Sequence, residues 1–213
     1  MEIEAILFDL GHVIVDFDMN ECVQTMADRC PLAREEFEKV LWDTGWIRRY
    51  ERGEVSTAGF HEFLCRDAGL EMDYVSFHRC WSGVFDAELI VPESLLARLG
   101  SVYPLALISN TNEAHVEHIR ENFGVFDHFE HRVFSYEVGS LKPDRKIFEC
   151  AIGAVGRRPA SLLFIDDRAE NIAAGRELGM QTHLFESLAG LRKAFQQAGV
   201  EIGDLAHFDP GSG

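Results

Sequence analysis

Short apolar segments that end in polar residues recur along the chain, and they constrain its fold more than any other feature. Three of them cover residues 3–8, 105–108 and 162–165, and segments with the apolar spacing of helices lie at 144–155 and 169–178. Short, continuous apolar runs are typical of strands that are buried on both faces, as in parallel sheets. The alternation of strand and helix therefore predicts an α/β fold, with a parallel sheet covered by helices on both faces. Further strands are expected at 132–134 and 182–185.

The distance along the chain between the first two apolar segments is unusually long. A crossover between neighbouring parallel strands needs a unit of about 30 residues, whereas about 100 residues separate Asp9 from Ser109. The surplus contains apolar residues at helical spacing. We therefore predict a small helical domain at 17–85, inserted after the first strand where it could act as a cap, and a core made of residues 1–16 and 86–213.

The composition limits the partners that this chain can bind. Its formal net charge is −16 and the basic residues form no block, so binding to nucleic acid is not expected. No apolar run approaches the length of about 20 residues that a membrane helix needs, and the acidic start of the chain argues against a secretory signal. An odd number of cysteines without a C-x-x-C pair favours reduced thiols. We expect a cytoplasmic protein, a monomer or dimer, that contacts no membrane.

Polar residues follow the first two predicted strands, at the edge where ligands bind in open parallel sheets. Asp9 follows the first strand, and Gly11 allows a tight turn in which its own carbonyl could approach a cation. Ser109 and Asn110 follow the second strand, where a hydroxyl and a backbone N–H could bind phosphate. Each has an ordinary alternative, because carboxylates form turns and Ser109 or Asn110 could cap a helix at 113–122. Their combination at one edge favours a catalytic role.

Two later segments extend this pattern. Lys142 could neutralise a phosphate beside a strand end, and Pro143 is expected at the first position of the next helix. Asp166 and Asp167 come directly after an apolar strand, where adjacent carboxylates repel each other unless a cation lies between them. Oxygen ligands at few positions suit Mg²⁺. The alternative is that both carboxylates only cap the following helix.

Two histidine pairs are weaker metal signals. His115 and His118, like His128 and His131, are three residues apart, and neither pair has a clear third ligand nearby. Both pairs are therefore interpreted as surface or helix-end residues.

These motifs together resemble those of the haloacid dehalogenase (HAD) superfamily of phosphohydrolases, over nearly the whole chain. The segments that carry the resemblance are Ile6–Gly11, 107–110, 142–144 and 164–167 with Asn171. The resemblance implies a Rossmann-like core, and the helical insertion is similar to the family's cap. Within the family the chain is most similar to bacterial α-D-glucose-1-phosphate phosphatases, on the cap stretch Tyr50–Ser56.

The resemblance also implies a role for each residue. Asp9 would be the nucleophile that forms an aspartyl-phosphate. Mg²⁺ would be bound by Asp9, the backbone carbonyl of Gly11 and Asp167, with Asp166 in support. The phosphoryl oxygens would be bound by Ser109, Asn110 and Lys142.

Substrate specificity is expected to come from the cap, because the core contacts only the phosphate. The candidates are Trp46, Arg49, Tyr50 and Glu54. The alternative is that Trp46 packs inside the cap and Arg49 is solvated. The expected partner is a small phosphorylated metabolite, with a sugar 1-phosphate as the leading candidate.

One position departs from the family pattern. The family usually has a second aspartate two residues after the nucleophile, acting as general acid and base, and this chain has Gly11 there. A missing general acid matters least for an acidic leaving group such as an anomeric hydroxyl. His12 is the nearest titratable residue. A non-catalytic binding protein is the main alternative, and a dehalogenase is less favoured because that chemistry needs neither metal nor paired carboxylates.

Overall fold

A parallel sheet lies at the centre of the computed structural model, which describes residues 2–201. The strands in chain order are β1 (Ala5–Phe8), β2 (Val15–Phe17), β3 (Phe85–Leu89), β4 (Leu105–Ser109), β5 (His131–Phe134), β6 (Leu162–Asp166) and β7 (Gln181–Leu184). The central sheet has the order β5-β4-β1-β6-β7, and each pair of neighbours is parallel. The prediction of an α/β fold with a parallel sheet is confirmed.

Helices separate most of these strands. They are α1 (Asn20–Ala27), α2 (Arg34–Asp43), α3 (Trp46–Glu51), α4 (Thr57–Asp67), α5 (Tyr74–Ser82), α6 (Glu93–Gly100), α7 (Glu113–Asn122), α8 (Ser135–Val138), α9 (Arg145–Val155), α10 (Ala169–Glu177) and α11 (Leu188–Ala198). Buried apolar side chains form a separate cluster on each side of the sheet, as expected when helices cover both faces. Within residues 2–201, no helix combines the length and the apolar character that a membrane span requires.

The strand register places the chemistry-bearing residues together. In the sheet, Phe8 lies opposite Leu107 on one side and opposite Ile165 on the other. Because parallel strands end at the same edge, the residues after Phe8, Leu107 and Ile165 meet there. Asp9 directly follows β1, and Asp166 is the last residue of β6.

The helices α1–α5 form a unit between β2 and β3. These two strands pair antiparallel with each other, outside the central sheet. The buried side chains of the unit, among them Phe37, Phe60 and Trp81, form a hydrophobic cluster of their own. We propose that this unit is the cap and that β2 and β3 connect it to the core.

The end of α3 is fastened to the core by several contacts. The Ser135 hydroxyl donates to the backbone carbonyl of Glu51 at 2.6 Å, and the Tyr50 hydroxyl donates to the Asn112 side chain at 3.1 Å. Gly53 has a φ of +68°, and a Cβ there would lie 2.1 Å from the carbonyl oxygen of Tyr136. Only glycine allows this close approach, so the chain after α3 is held against the core.

One local prediction is wrong. Pro143 is not the first residue of a helix, since α9 begins at Arg145 with Asp144 as its N-cap. The Lys142–Pro143 peptide bond is cis, and both residues lie in a turn that precedes the helix.

Candidate active site

Three carboxylates converge at the sheet edge. One oxygen from each of Asp9, Asp166 and Asp167 lies within 4.8 Å of the others. Asp166 is fully buried and Asp9 is 7% exposed, whereas Asp167 is partly exposed. Buried carboxylates this close together are stable only beside compensating positive charge.

Lys142 supplies part of that charge. Its Nζ lies 2.8 Å from Asp9 Oδ1 and 2.7 Å from Asp166 Oδ2, and the side chain is buried. Burial by itself lowers the pKa of Lys142, but the charges of Asp9 and Asp166 outweigh this and raise it. The group therefore remains an ammonium ion at neutral pH.

The Asn110 side chain fixes the backbone of Lys142. Asn110 Oδ1 accepts from the Lys142 N–H at 2.6 Å, and Asn110 Nδ2 donates to the Lys142 carbonyl at 2.9 Å. This double hydrogen bond ties the end of β4 to the lysine loop. Asn110 therefore positions Lys142 in addition to lying in the predicted phosphate site.

Asp166 is held from several directions. The Asn171 Nδ2 group donates to both of its oxygens, at 2.9 and 3.1 Å, and the Arg168 backbone N–H donates at 2.8 Å. With Lys142 on Oδ2, both oxygens have protein partners. This arrangement suits the supporting role predicted for Asp166. Asn171, one of the residues that carry the family resemblance, therefore orients the Asp166 carboxylate.

The oxygen donors fit Mg²⁺. Burial, followed by the repulsion of Asp166, raises the pKa of Asp9 to about 7, although Lys142 acts against this. Burial and Asp166 likewise raise the pKa of Asp167. The protein alone therefore disfavours the anionic forms of Asp9 and Asp167. A divalent cation bound among the carboxylates would stabilise these charged forms. Oxygen ligands without histidine or cysteine are typical of magnesium sites.

A cavity of about 220 Å³ lies between the core and the cap. Gly11, Ser109 and Asn110 line it from the core, and the Ser109 side chain is buried. The cap side is largely aromatic and aliphatic, with one carboxylate. It consists of Phe17, Met19, Trp42, Ile47, Glu51, Trp81 and Phe85.

The four predicted specificity residues do not line this cavity. The Trp46 ring stacks on Phe63 at a centroid distance of 4.3 Å, and the Arg49 guanidinium lies over Trp46 and pairs with Glu54 at 3.1 Å. Tyr50 is buried, and its hydroxyl bonds to Thr57 and Asn112. Trp46, Arg49 and Tyr50 therefore stabilise the cap or its attachment to the core. Ile47 and Glu51, on another face of the same helix, line the cavity instead.

His115 lies in the first turn of α7, in agreement with the interpretation of the histidine pairs as surface or helix-end residues. It is half-buried and lines the cavity. Its Nε2 donates to the Trp81 carbonyl at 2.9 Å, and Nδ1 accepts from Asn112 Nδ2 at 3.1 Å. Burial lowers the pKa of His115 to about 4, so the ring is neutral at pH 7 and links the cap to α7.

The place of the missing aspartate is filled by an aromatic ring. A Cβ on Gly11 would lie 2.8 Å from Cε1 of Phe17. His12 has a φ of +54°, and its ring stacks on the Phe17 ring at a centroid distance of 4.2 Å. Its Nδ1 lies 2.7 Å from Oδ1 of Asp16. His12 is exposed and is not among the cavity-lining residues. The structure therefore offers no substitute acid on the loop after β1.

Restoring the aspartate is expected to destabilise the protein. Gly11→Asp should lower the free energy of unfolding by about 1–3 kcal/mol, because the new Cβ overpacks against Phe17. The same change in a Phe17→Ala background should cost less, because the ring is gone. Urea unfolding of the four proteins in this double-mutant cycle measures the coupling. Equal costs in both backgrounds would show that Phe17 does not exclude a side chain at position 11.

Comparison with known proteins agrees with this geometry. The family model for haloacid dehalogenase-like hydrolases matches residues 3–179. This chain therefore belongs to the haloacid dehalogenase-like hydrolases.

Several individual members of this family are similar to the chain over most of its length. A D-ribitol-5-phosphate phosphatase from Bacteroides thetaiotaomicron is 29% identical over 197 residues, covering 90% of this chain and 96% of the relative. An (S)-2-haloacid dehalogenase from Pseudomonas sp. is 27% identical, over 84% of this chain and 81% of the relative. A crystal structure of a HAD family enzyme from B. thetaiotaomicron in complex with magnesium and inorganic phosphate is 26% identical, with a TM-score of 0.77 over 87% of this chain and 96% of that chain. The prediction of a haloacid dehalogenase-like hydrolase is confirmed, and the magnesium bound by the last of these relatives agrees with the predicted cofactor.

Proposed function

We propose that this protein is a Mg²⁺-dependent phosphomonoesterase that acts on a small phosphorylated sugar or polyol through an aspartyl-phosphate on Asp9. The observation that carries this proposal is the cluster of Asp9, Asp166 and Asp167 around buried Lys142. This cluster lies at the edge of the sheet where β4, the neighbour of β1, ends in Ser109. This combines a nucleophile, fixed positive charge and a hydroxyl donor at one sheet edge.

The residues divide the reaction into two displacements. An oxygen of Asp9 attacks phosphorus, the bond to the leaving oxygen breaks, and water later cleaves the aspartyl-phosphate to release phosphate. Lys142, Ser109 and Asn110 stabilise the phosphoryl oxygens during both steps. Asp9, the Gly11 carbonyl and Asp167 would hold Mg²⁺, which when bound offsets the negative charge of nucleophile and phosphate.

The cavity supports a small substrate. Its volume of about 220 Å³ is small for a ligand pocket, and its aromatic walls suit the C–H faces of a sugar or polyol. The motif resemblance favours a sugar 1-phosphate, whereas one relative acts on D-ribitol 5-phosphate. Both belong to the proposed substrate class.

A panel of phosphate esters tests the proposal. We expect Mg²⁺-dependent phosphate release that EDTA abolishes, measured with glucose 1-phosphate, glucose 6-phosphate, D-ribitol 5-phosphate, a nucleotide and 4-nitrophenyl phosphate. A sugar or polyol phosphate should have the highest kcat/KM. If a well-folded, Mg²⁺-loaded protein releases phosphate from none of them, the non-catalytic alternative would replace this proposal.

Dehalogenation is a second candidate because an (S)-2-haloacid dehalogenase is among the relatives. Chloride release from L-2-chloropropionate, measured with and without EDTA, tests it. We expect no release, because the paired carboxylates and Lys142 suit a phosphate and a metal. EDTA-resistant chloride release without phosphatase activity would reverse the assignment.

A further inference from the structure

The leaving oxygen of an alkyl phosphate needs a proton, and the usual donor is absent at Gly11. Among the described residues that line the cavity, only Glu51 and His115 carry an acid or base side chain that could serve as a proton donor. Both ring nitrogens of His115 are already engaged, with Trp81 and Asn112. We propose that the Glu51 carboxyl is the general acid for the leaving oxygen, an assignment that rests on the proposed phosphatase function.

The backbone of Glu51 is held in place. Its carbonyl accepts from Ser135 of the core at 2.6 Å, and the neighbouring Tyr50 hydroxyl donates to Asn112 at 3.1 Å. Gly53, two residues further on, lies directly against the Tyr136 carbonyl. The side chain is therefore presented to the cavity from a segment that is docked on the core, as an acid aimed at a reacting atom requires.

The surroundings keep a substantial fraction of the Glu51 carboxyl protonated at neutral pH. Burial raises the pKa of Glu51 to about 7, although Arg48 on the same helix and Arg168 on the core act against this. This value lies near the operating pH at which general acid–base catalysis is most efficient. On its core side the cavity presents Ser109 and the neutral His115, which do not compete for the proton.

The proton balance closes over the two steps. As the bond from phosphorus to the leaving oxygen breaks and the bond to Asp9 forms, Glu51 gives its proton to that oxygen, and the alcohol departs. The Glu51 carboxylate then takes a proton from the attacking water as phosphate leaves Asp9. The group ends the cycle protonated, and Gly11 has no part in either transfer.

The test compares leaving groups in a Glu51→Gln variant. For D-ribitol 5-phosphate or glucose 6-phosphate, whichever reacts faster in wild type, kcat/KM should fall by about 100-fold or more. For 4-nitrophenyl phosphate, whose leaving group is acidic and needs no proton, kcat/KM should change by less than about fivefold, because this ratio does not include hydrolysis of the phospho-enzyme, the second step in which Glu51 acts as base. Glu62→Gln, at an exposed carboxylate on α4, is the matched control and should leave both rates unchanged.

The pH profile provides a second readout. In wild type, kcat/KM for the alkyl ester should fall as the pH rises through about 7, because the acid form of Glu51 is lost. In Glu51→Gln this fall should disappear. A rise in KM with unchanged kcat would instead identify Glu51 as a ligand of a substrate hydroxyl, and equal losses of kcat/KM for both esters would indicate a structural role. Either outcome overturns the proposal, whereas a wild type inactive on both esters with Mg²⁺ contradicts the phosphatase assignment itself.

Discussion

Asp9→Asn is expected to lower phosphate release by at least about 10⁴-fold, because an amide cannot attack phosphorus and the oxygens of the neighbouring Asp166 are already held by Lys142, Asn171 and the Arg168 N–H. Wild type should form a covalent phospho-enzyme during a rapid quench, detected by mass spectrometry on the peptide that contains Asp9. The variant should show no such adduct. Asp43→Asn, at an exposed position on α2, is the control and should behave as wild type.

The same substitution separates chemistry from folding. Burial raises the pKa of Asp9 to about 7, so the ionised carboxylate is less favourable in the folded protein than in water. A neutral amide of similar size removes this cost. Metal-free Asp9→Asn should therefore unfold at a temperature equal to or higher than that of wild type. A variant that is inactive and also unfolds at a clearly lower temperature would leave the nucleophile assignment without support from this experiment.

The core and its carboxylates could be predicted because their signals are local. The apolar run before Asp9 and the run before Asp166 each identify a buried strand, and parallel strands bring their ends to one edge. The long interval before Ser109 likewise predicted an insertion. No information about distant packing was needed for these inferences.

The face of α3 that lines the cavity could not be predicted in this way. Ile47 and Glu51 are four residues apart and share the face of α3 that lines the cavity, whereas Trp46 and Tyr50 share another face and pack away from it. Helical periodicity identifies both faces, but it does not say which one meets the core. That choice depends on contacts such as Ser135 with the Glu51 carbonyl, which are remote in sequence.

The glycine at position 11 has a different meaning in the structure from the one it had in the sequence. From the sequence, its lack of a side chain favoured an acidic leaving group such as an anomeric hydroxyl. In the structure, Phe17 fills the space and Glu51 lines the same cavity. With Glu51 as the acid, a primary alcohol is as acceptable a leaving group as an anomeric hydroxyl, so the glycine no longer restricts the substrate to a 1-phosphate.

Lys142→Met is expected to lower the free energy of unfolding by about 3–5 kcal/mol in metal-free buffer at neutral pH. The substitution preserves the buried stem but leaves Asp9 and Asp166 without the ammonium that lies 2.8 and 2.7 Å from them. Urea unfolding measures the change, and Lys146→Met, at an exposed position on α9, is the control and should cost little.

Addition of Mg²⁺ should recover part of the stability lost in Lys142→Met, because a cation that binds the folded carboxylate cluster stabilises that state by mass action. Activity should not recover: kcat should remain at least about 100-fold below wild type, since the phosphoryl oxygens still lack a fixed positive partner. The two readouts separate the roles of this lysine, which neutralises the carboxylates in the resting protein and the phosphoryl group during the reaction. A metal-free variant as stable as wild type would show that the ammonium is not what holds the buried carboxylates together.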